Sequence, residues 1–218
     1  MTDLKQEACT LLRSRQVIFW DFDGVIKDSV TVKSEGYEKL FSSYGRDVVE
    51  KVRHHHSLHG GVSRYDKIPL YLSWTGTTSS PERIQELCER FSNSVQQAVI
   101  DSPWVPGVRE YLQANHSNQH FILITATPQE EIESILDALE ITHYFKEIYG
   151  APKPKTEVVS EALNRLRCPA EQALVVGDSA TDCNAAEKNN VSFLLRRTPF
   201  NQDLQKQLQG YSFDDLNF

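Results

Sequence analysis

Two carboxylates in alternate positions, Asp21 and Asp23, close a short apolar run and are followed at once by Gly24. Side chains of this type can bind a cation, attack an electrophile or move protons. Alone, a D-x-D pair reads better as two surface acids in a turn. Three further features change that. Thr125 ends a second apolar run, within Ile124-Thr125-Ala126-Thr127-Pro128. Lys153 and Lys155 flank Pro154 just before a helical pattern, and another apolar run ends in Gly177-Asp178-Ser179-Ala180-Thr181-Asp182. Acid, hydroxyl, lysine and acid at successive strand ends describe one convergent site, since open α/β sheets bind ligands at strand carboxyl ends.

The elements that must position these residues are visible in the hydrophobic pattern. Val17–Trp20, Phe121–Ile124, Ala173–Val176 and Val191–Leu195 are continuous apolar runs without polar alternation, as expected for strands covered on both faces, and Phe145–Tyr149 reads as a shorter one. Helical patterns lie between them, over Gly107–Ala114, Glu130–Leu139 after Pro128 and Thr156–Leu166 after Pro154. Alternation of this kind predicts an α/β fold with a doubly wound parallel sheet. From about Ser29 to Ser102 the alternation stops, and helical segments are expected over Val32–Ser43, Asp47–His56, Ser63–Ser73 and Pro81–Val99. Residues 1–28 and 103–218 are therefore read as a core domain and 29–102 as an inserted α-helical cap domain, hinged near Lys27–Val30 and Asp101–Pro106. The last 20 residues are too irregular to assign.

Composition narrows the partners. With 218 residues, 39% hydrophobic and 24% charged, the chain has the make-up of a globular protein large enough for a good core. A formal charge of −7 disfavours nucleic acid, although cations converging on one site can still hold a small anion. The four cysteines, Cys9, Cys88, Cys168 and Cys183, lack zinc-ligand spacing. The charged N-terminus lacks the apolar stretch of a signal peptide, and no run has the length of a membrane span. A reducing, cytoplasmic setting is the expectation.

At this level of detail the chain resembles the haloacid dehalogenase superfamily of hydrolases, in its branch of phosphoglycolate phosphatase and β-phosphoglucomutase-like members with a helical cap. The first motif of that family, DxDGxxxDS, is met by Asp21, Asp23, Gly24, Asp28 and Ser29, the second by Thr125, the third by a lysine, and the fourth, GDSxxDxxAA, from Gly177 through Ala186. The resemblance spans nearly the whole chain and implies a Rossmann-like core and a phosphatase that hydrolyses a small phosphorylated metabolite. It implies Asp21 as the nucleophile that forms an aspartyl-phosphate. Asp23 would protonate the leaving alcohol and then take a proton from water. Mg²⁺ is implied on the Asp21 side chain, the Asp23 carbonyl and Asp178, with Asp182 supporting the metal through water or orienting the lysine. Thr125 and one lysine would hold the phosphoryl oxygens. The family's KPxPD form selects Lys153 and its Gly-x-Pro-x-x-Lys form selects Lys155; the shorter spacing after Gly150-Ala151-Pro152 favours Lys155.

One cap segment carries a specificity expectation. His59-Gly60-Gly61-Val62-Ser63-Arg64-Tyr65-Asp66-Lys67 permits a sharp turn and a helix capped by Ser63, with Arg64 and Lys67 on one face. Arg64 is expected to reach into the cleft and bind a second anionic group of the substrate. The same segment resembles the cap loop of β-phosphoglucomutase, so a sugar phosphate mutase is the alternative. Against it, Phe91 stands where the mutase has a cap lysine and Lys33 where it has a cap histidine. The adjacent His54, His55 and His56 lie about 100° apart on a helix and cannot all face one ion.

Overall fold

The computed structural model describes residues 2–77, 79–208 and 210–217, so residues 1 and 218, at the ends of the expected core ranges, lie outside it. Six strands form one sheet: β1 (Val17–Trp20), β2 (His120–Pro128), β3 (Glu147–Ala151), β4 (Ala173–Gly177), β5 (Ser192–Arg196) and β6 (Tyr211–Phe213). Their order is β3-β2-β1-β4-β5-β6, every neighbouring pair is parallel, and the sheet is Rossmann-like. The helices are α1 (Thr2–Arg13), α2 (Val30–Phe41), α3 (Arg46–Leu58), α4 (Arg64–Ser73), α5 (Pro81–Asp101), α6 (Val108–Asn115), α7 (Gln129–Ala138), α8 (Lys155–Leu166), α9 (Ala180–Lys188) and α10 (Gln202–Gln207).

Burial explains why the central strands lack polar alternation. All four residues of β1 and all five of β4 are buried. Side chains still alternate between faces along each strand. Ile18 and Trp20 join one apolar cluster with Leu12, Leu112, Ile132 and Val176. Val17 and Phe19 join another with Val158, Val159, Val175 and Ala185. The sheet is thus covered by α1, α6 and α7 on one side and by α8 and α9 on the other. Within α7, burial of Ile132, Ile135 and Leu136 follows the helical period, which is why the helix lies flat on the sheet.

Helices α2 to α5 intervene between β1 and β2, where the sequence shows helical periodicity and no apolar strand run. Their own apolar residues, among them Tyr37, Phe41, Tyr71, Phe91 and Val95, belong to the same cluster as Trp20 and Phe121. One polar contact also ties this segment to the sheet side. Both terminal nitrogens of Arg64, on α4, donate to the two carboxylate oxygens of Glu131, on α7, at 2.7 and 2.8 Å, and Ser92 of α5 bonds to both partners. Both charged side chains are buried.

Most expected elements occur with ends moved by one to three residues; β2 extends beyond Ile124 to Pro128, and β3 runs to Ala151 rather than stopping at Tyr149. Three elements, α1, α10 and β6, had no counterpart in the sequence reading. The irregular tail contributes α10 and the three-residue β6, and α1 packs beside β6. A strand of that length has no readable period; it forms because Leu194 to Arg196 offer a parallel partner. Among the described residues no helix is long and apolar enough to cross a membrane. All four cysteines are free thiols.

Two stability outcomes follow from this packing. Trp20 contacts Tyr111 and Phe121, and its indole nitrogen has no hydrogen-bond partner. Trp20→Ala should cost about 3–5 kcal/mol in urea unfolding, and Trp20→Phe clearly less, because the latter keeps a ring and deletes the unpaired donor. Arg64→Ala should cost about 3–5 kcal/mol by stranding the Glu131 charge, whereas Arg64→Met combined with Glu131→Leu should recover most of that loss. Equal losses in the single and double variants would show that the pair does not couple the two helices.

Candidate active site

Strand pairing sets the site. Trp20 is in register with Val176, and Asp21 N–H donates to the Val176 carbonyl at 2.9 Å, so the chain leaves β1 and β4 side by side and Asp21 and Asp178 emerge together. Two glycines permit the crowding. A Cβ on Gly24, whose φ is +79°, would come within 2.2 Å of an Asp178 carboxylate oxygen. A Cβ on Gly177 would come within 2.2 Å of the Asp182 Cβ. Any other residue at either position would push an acid out of the cluster.

Lys155 opens α8 and is buried, with its Nζ 2.9 Å from Asp21 Oδ1 and 2.7 Å from Asp182 Oδ1. The other Asp182 oxygen accepts from the backbone N–H and hydroxyl of Ser179, closing a capping box at the start of α9. Asp182 thus both starts its helix and orients the lysine. Lys153 is elsewhere: it lies on the surface, paired with Glu161 at 2.5 Å and placed over the Tyr149 ring. The N–H of Phe22 also donates to Asp21 Oδ1, at 2.7 Å.

Carboxylate oxygens of Asp21, Asp178 and Asp182 lie within 4.8 Å of one another. Burial first, and then the charge of Asp182, push the Asp21 carboxyl up to about 7 despite the opposing charge of Lys155. Asp178 is raised well above the ordinary range by burial and by the charges of Asp21 and Asp182. Burial would lower Lys155, but the charges of Asp182 and Asp21 outweigh it and raise the amine. Three acids against one ammonium leave negative charge uncompensated, and an all-oxygen set of this kind fits a hard divalent cation such as Mg²⁺.

Asp23 has the opposite environment. Its carboxylate accepts from the Ser29 hydroxyl at 2.6 Å, from the Thr127 hydroxyl at 3.1 Å and from the Lys33 ammonium, which also donates to Thr127 Oγ1 at 2.6 Å. Burial would raise this carboxyl, yet the charge and hydrogen bond of Lys33, with those of Ser29 and Thr127, hold it below the usual range. Its side chain stands apart from the three clustered acids. Thr125 is buried at the end of the same stretch of β2, and its hydroxyl accepts from the Thr127 N–H at 3.2 Å.

Of these groups, Asp21, Asp23, Asp178, Thr125 and Lys33 line one small cavity, about 50 Å³, together with Lys67. His56, Gly60, Gly61, Arg64 and Phe91 also line it. Ser63 caps α4 by accepting from the Tyr65 N–H at 3.3 Å. Arg64 reaches the cavity wall, with its terminal nitrogens on Glu131 and its guanidinium 4.6 Å from the Phe91 ring centroid. Of the three adjacent histidines, His54 is exposed, His55 contacts the Tyr71 hydroxyl at 3.1 Å and His56 is buried. The sequence reading missed Thr127, Glu131 and the inward role of His56. Thr127 could have been noticed as the second hydroxyl of the Thr-x-Thr-Pro strand end; Glu131 had no signal, since its partner lies 67 positions away.

Comparison with known proteins agrees with this geometry. The profile of the haloacid dehalogenase-like hydrolase family matches residues 17–195. The chain is similar to a phosphorylated carbohydrates phosphatase of Thermotoga maritima, 26% identical over 81% of this chain and 82% of that one. It is likewise 26% identical to a phosphoglycolate phosphatase of Pseudomonas savastanoi pv. phaseolicola, over 92% of this chain and 77% of that one. Among solved structures, β-phosphoglucomutase from Clostridium difficile superposes with a TM-score of 0.73 at 21% identity, covering 93% of this chain and 92% of that one. CbbY from Rhodobacter sphaeroides, in complex with xylulose-1,5-bisphosphate, gives 0.73 at 15% identity, covering 93% and 95%. The sheet order, the convergent strand ends and the match across most of its length place this chain in the haloacid dehalogenase-like hydrolase family.

Proposed function

We propose that the protein is a Mg²⁺-dependent phosphatase that hydrolyses a small phosphorylated metabolite through an aspartyl-phosphate on Asp21. The observation that carries this reading is the buried acid cluster around Lys155 beside a separately held Asp23. The names of the similar phosphatases point the same way.

The residues divide the work by environment. The Asp21 carboxylate attacks phosphorus, and the bond from phosphorus to the ester oxygen breaks. Asp23, which its donors favour as the carboxylate, first takes up a proton from solvent and then gives it to the departing alkoxide. Water then attacks phosphorus as Asp23 takes its proton, the acyl-phosphate bond breaks and phosphate leaves with Asp21 restored. Lys155 and Thr125 hold the phosphoryl oxygens as charge develops. A divalent cation, held by the Asp21 and Asp178 carboxylates and the Asp23 carbonyl, would supply the positive charge that lets an anionic nucleophile approach an anionic ester. Helices α2 to α5 act as a cap domain, residues 29–102, that excludes water from the cavity during the first step.

The test is phosphate release from a panel of phosphomonoesters. Activity should disappear on adding EDTA and return with Mg²⁺. Asp21→Asn should abolish turnover, and Lys155→Met should lower kcat at least about a hundredfold, the scale for removing a charge-stabilising donor. Lys153→Met, a change at the surface, should stay within about threefold, as for a weak surface ion pair. Retained turnover in Asp21→Asn would rule out the covalent route.

A further inference from the structure

An unbroken run of polar contacts joins the loop between α3 and α4 to Asp21. The Thr181 hydroxyl donates to the Gly61 carbonyl at 3.2 Å and lies 2.8 Å from the Ser179 hydroxyl. Ser179 donates to Asp182 Oδ2 at 2.5 Å. The other Asp182 oxygen accepts from Lys155 at 2.7 Å, and the same ammonium is 2.9 Å from Asp21. Gly61 lines the cavity, whereas Ser179 and Thr181 stand at the start of α9. Loop and helix approach as closely as a backbone allows. A Cβ on Gly61 would come within 2.0 Å of Thr181 Oγ1 and 2.3 Å of Ser179 Oγ, so any other residue would lift the loop off α9.

The proton inventory makes this run a switch. Each hydroxyl has one proton to donate and lone pairs to accept. The Gly61 carbonyl and the Asp182 carboxylate, at the two ends, only accept. Three contacts therefore share two protons. The charge of Asp182 holds the Ser179 proton, because a charge-assisted bond is the strongest of the three. The Thr181 proton is left with two alternatives, the Ser179 oxygen and the Gly61 carbonyl. Given to Ser179, it strengthens the bond from Ser179 to Asp182, since hydrogen bonds in series polarise one another. Given to Gly61, it fastens the loop and leaves more of the Asp182 charge to Lys155.

We infer that Thr181 is a positioning residue for the reaction: its hydroxyl passes between Ser179 and the Gly61 carbonyl, and so couples the seating of the α3–α4 loop on α9 to the hold of Asp182 on Lys155. This rests on the phosphatase reading above and adds a residue which that reading does not use.

The experiment compares Thr181→Val, which keeps the shape and loses the hydroxyl, with Thr181→Ser, which keeps the hydroxyl. With p-nitrophenyl phosphate and Mg²⁺, Thr181→Val should lose about tenfold in kcat, the scale of one hydrogen bond, with KM within about threefold. Thr181→Ser should stay within about threefold of wild type in both. Hydrogen exchange of the Gly60–Val62 amides reads the loop without turnover; it should quicken by about tenfold in Thr181→Val and not in Thr181→Ser. Gly61→Ala breaks the same contact from the other side, so adding Thr181→Val to it should lower kcat little further. Unchanged kcat or unchanged loop exchange in Thr181→Val overturns the inference, as do additive losses in the double variant or a Thr181→Ser as impaired as Thr181→Val. So does a kcat loss that only matches a loss of folded protein in thermal melts. Absence of phosphate release by the wild type, here and from the panel above, would instead overturn the phosphatase reading, and the catalytic role of Thr181 with it.

Discussion

Crowding three carboxylates around one buried ammonium is the constraint from which the rest of the structure follows. Asp21, Asp178 and Asp182 lie close enough to repel one another out of water, and Lys155 offsets only part of that charge. Such an arrangement survives only if the surrounding fold is rigid and strongly driven. The fold supplies this by placing β1 and β4 next to each other, both fully buried, with apolar clusters on the two faces of the sheet. Gly24 and Gly177 then remove the side chains that would keep the acids apart. The crowding of the acids is therefore carried by the core.

A second theme is that two aspartates only two positions apart are given opposite electrostatic surroundings. Burial first, and then the charge of Asp182, raise the Asp21 carboxyl, whereas donors from Lys33, Ser29 and Thr127 outweigh burial at Asp23 and lower it. Both shifts oppose the roles proposed above, since a nucleophile must be ionised and a proton donor protonated, so those roles require a cation beside Asp21 and proton uptake by Asp23. The donors to Asp23 come from both sides of the cavity: Ser29 and Lys33 at the start of the helical segment, Thr127 at the end of β2. The position of Asp23 thus depends on how α2 is seated over the sheet. Arg64 and Glu131 tie another helix of the same segment, α4, to α7.

Much of this was legible in the residues. Buried strands announce themselves as unbroken apolar runs, and the polar residues that end them mark the carboxyl edge of the sheet. The identity of the lysine was only half legible, because spacing allowed two. The structure separates them by Pro154: the residue before it stays in the exposed turn, and the residue after it opens α8 with its side chain turned inward. Arg64 was legible as facing inward but its partner was not, since a salt bridge between α4 and α7 leaves no local pattern. The buried environment of Lys67 was hidden for the same reason, because His56 lies on a different helix. β6 was unreadable because three residues carry no period and take their conformation from β5.

The central claim is that the acid cluster is held under electrostatic strain that a divalent cation relieves. Thermal unfolding tests it without relying on turnover. Wild type in EDTA should melt lower than wild type with Mg²⁺, by about 5–10 °C at a hundredfold excess over Kd. Asp178→Asn should melt higher than wild type in EDTA and lose most of the Mg²⁺ response, because one repelling charge and one ligand are gone together. An unchanged melting temperature on adding Mg²⁺, with Asp178→Asn melting below wild type in EDTA, would contradict the account.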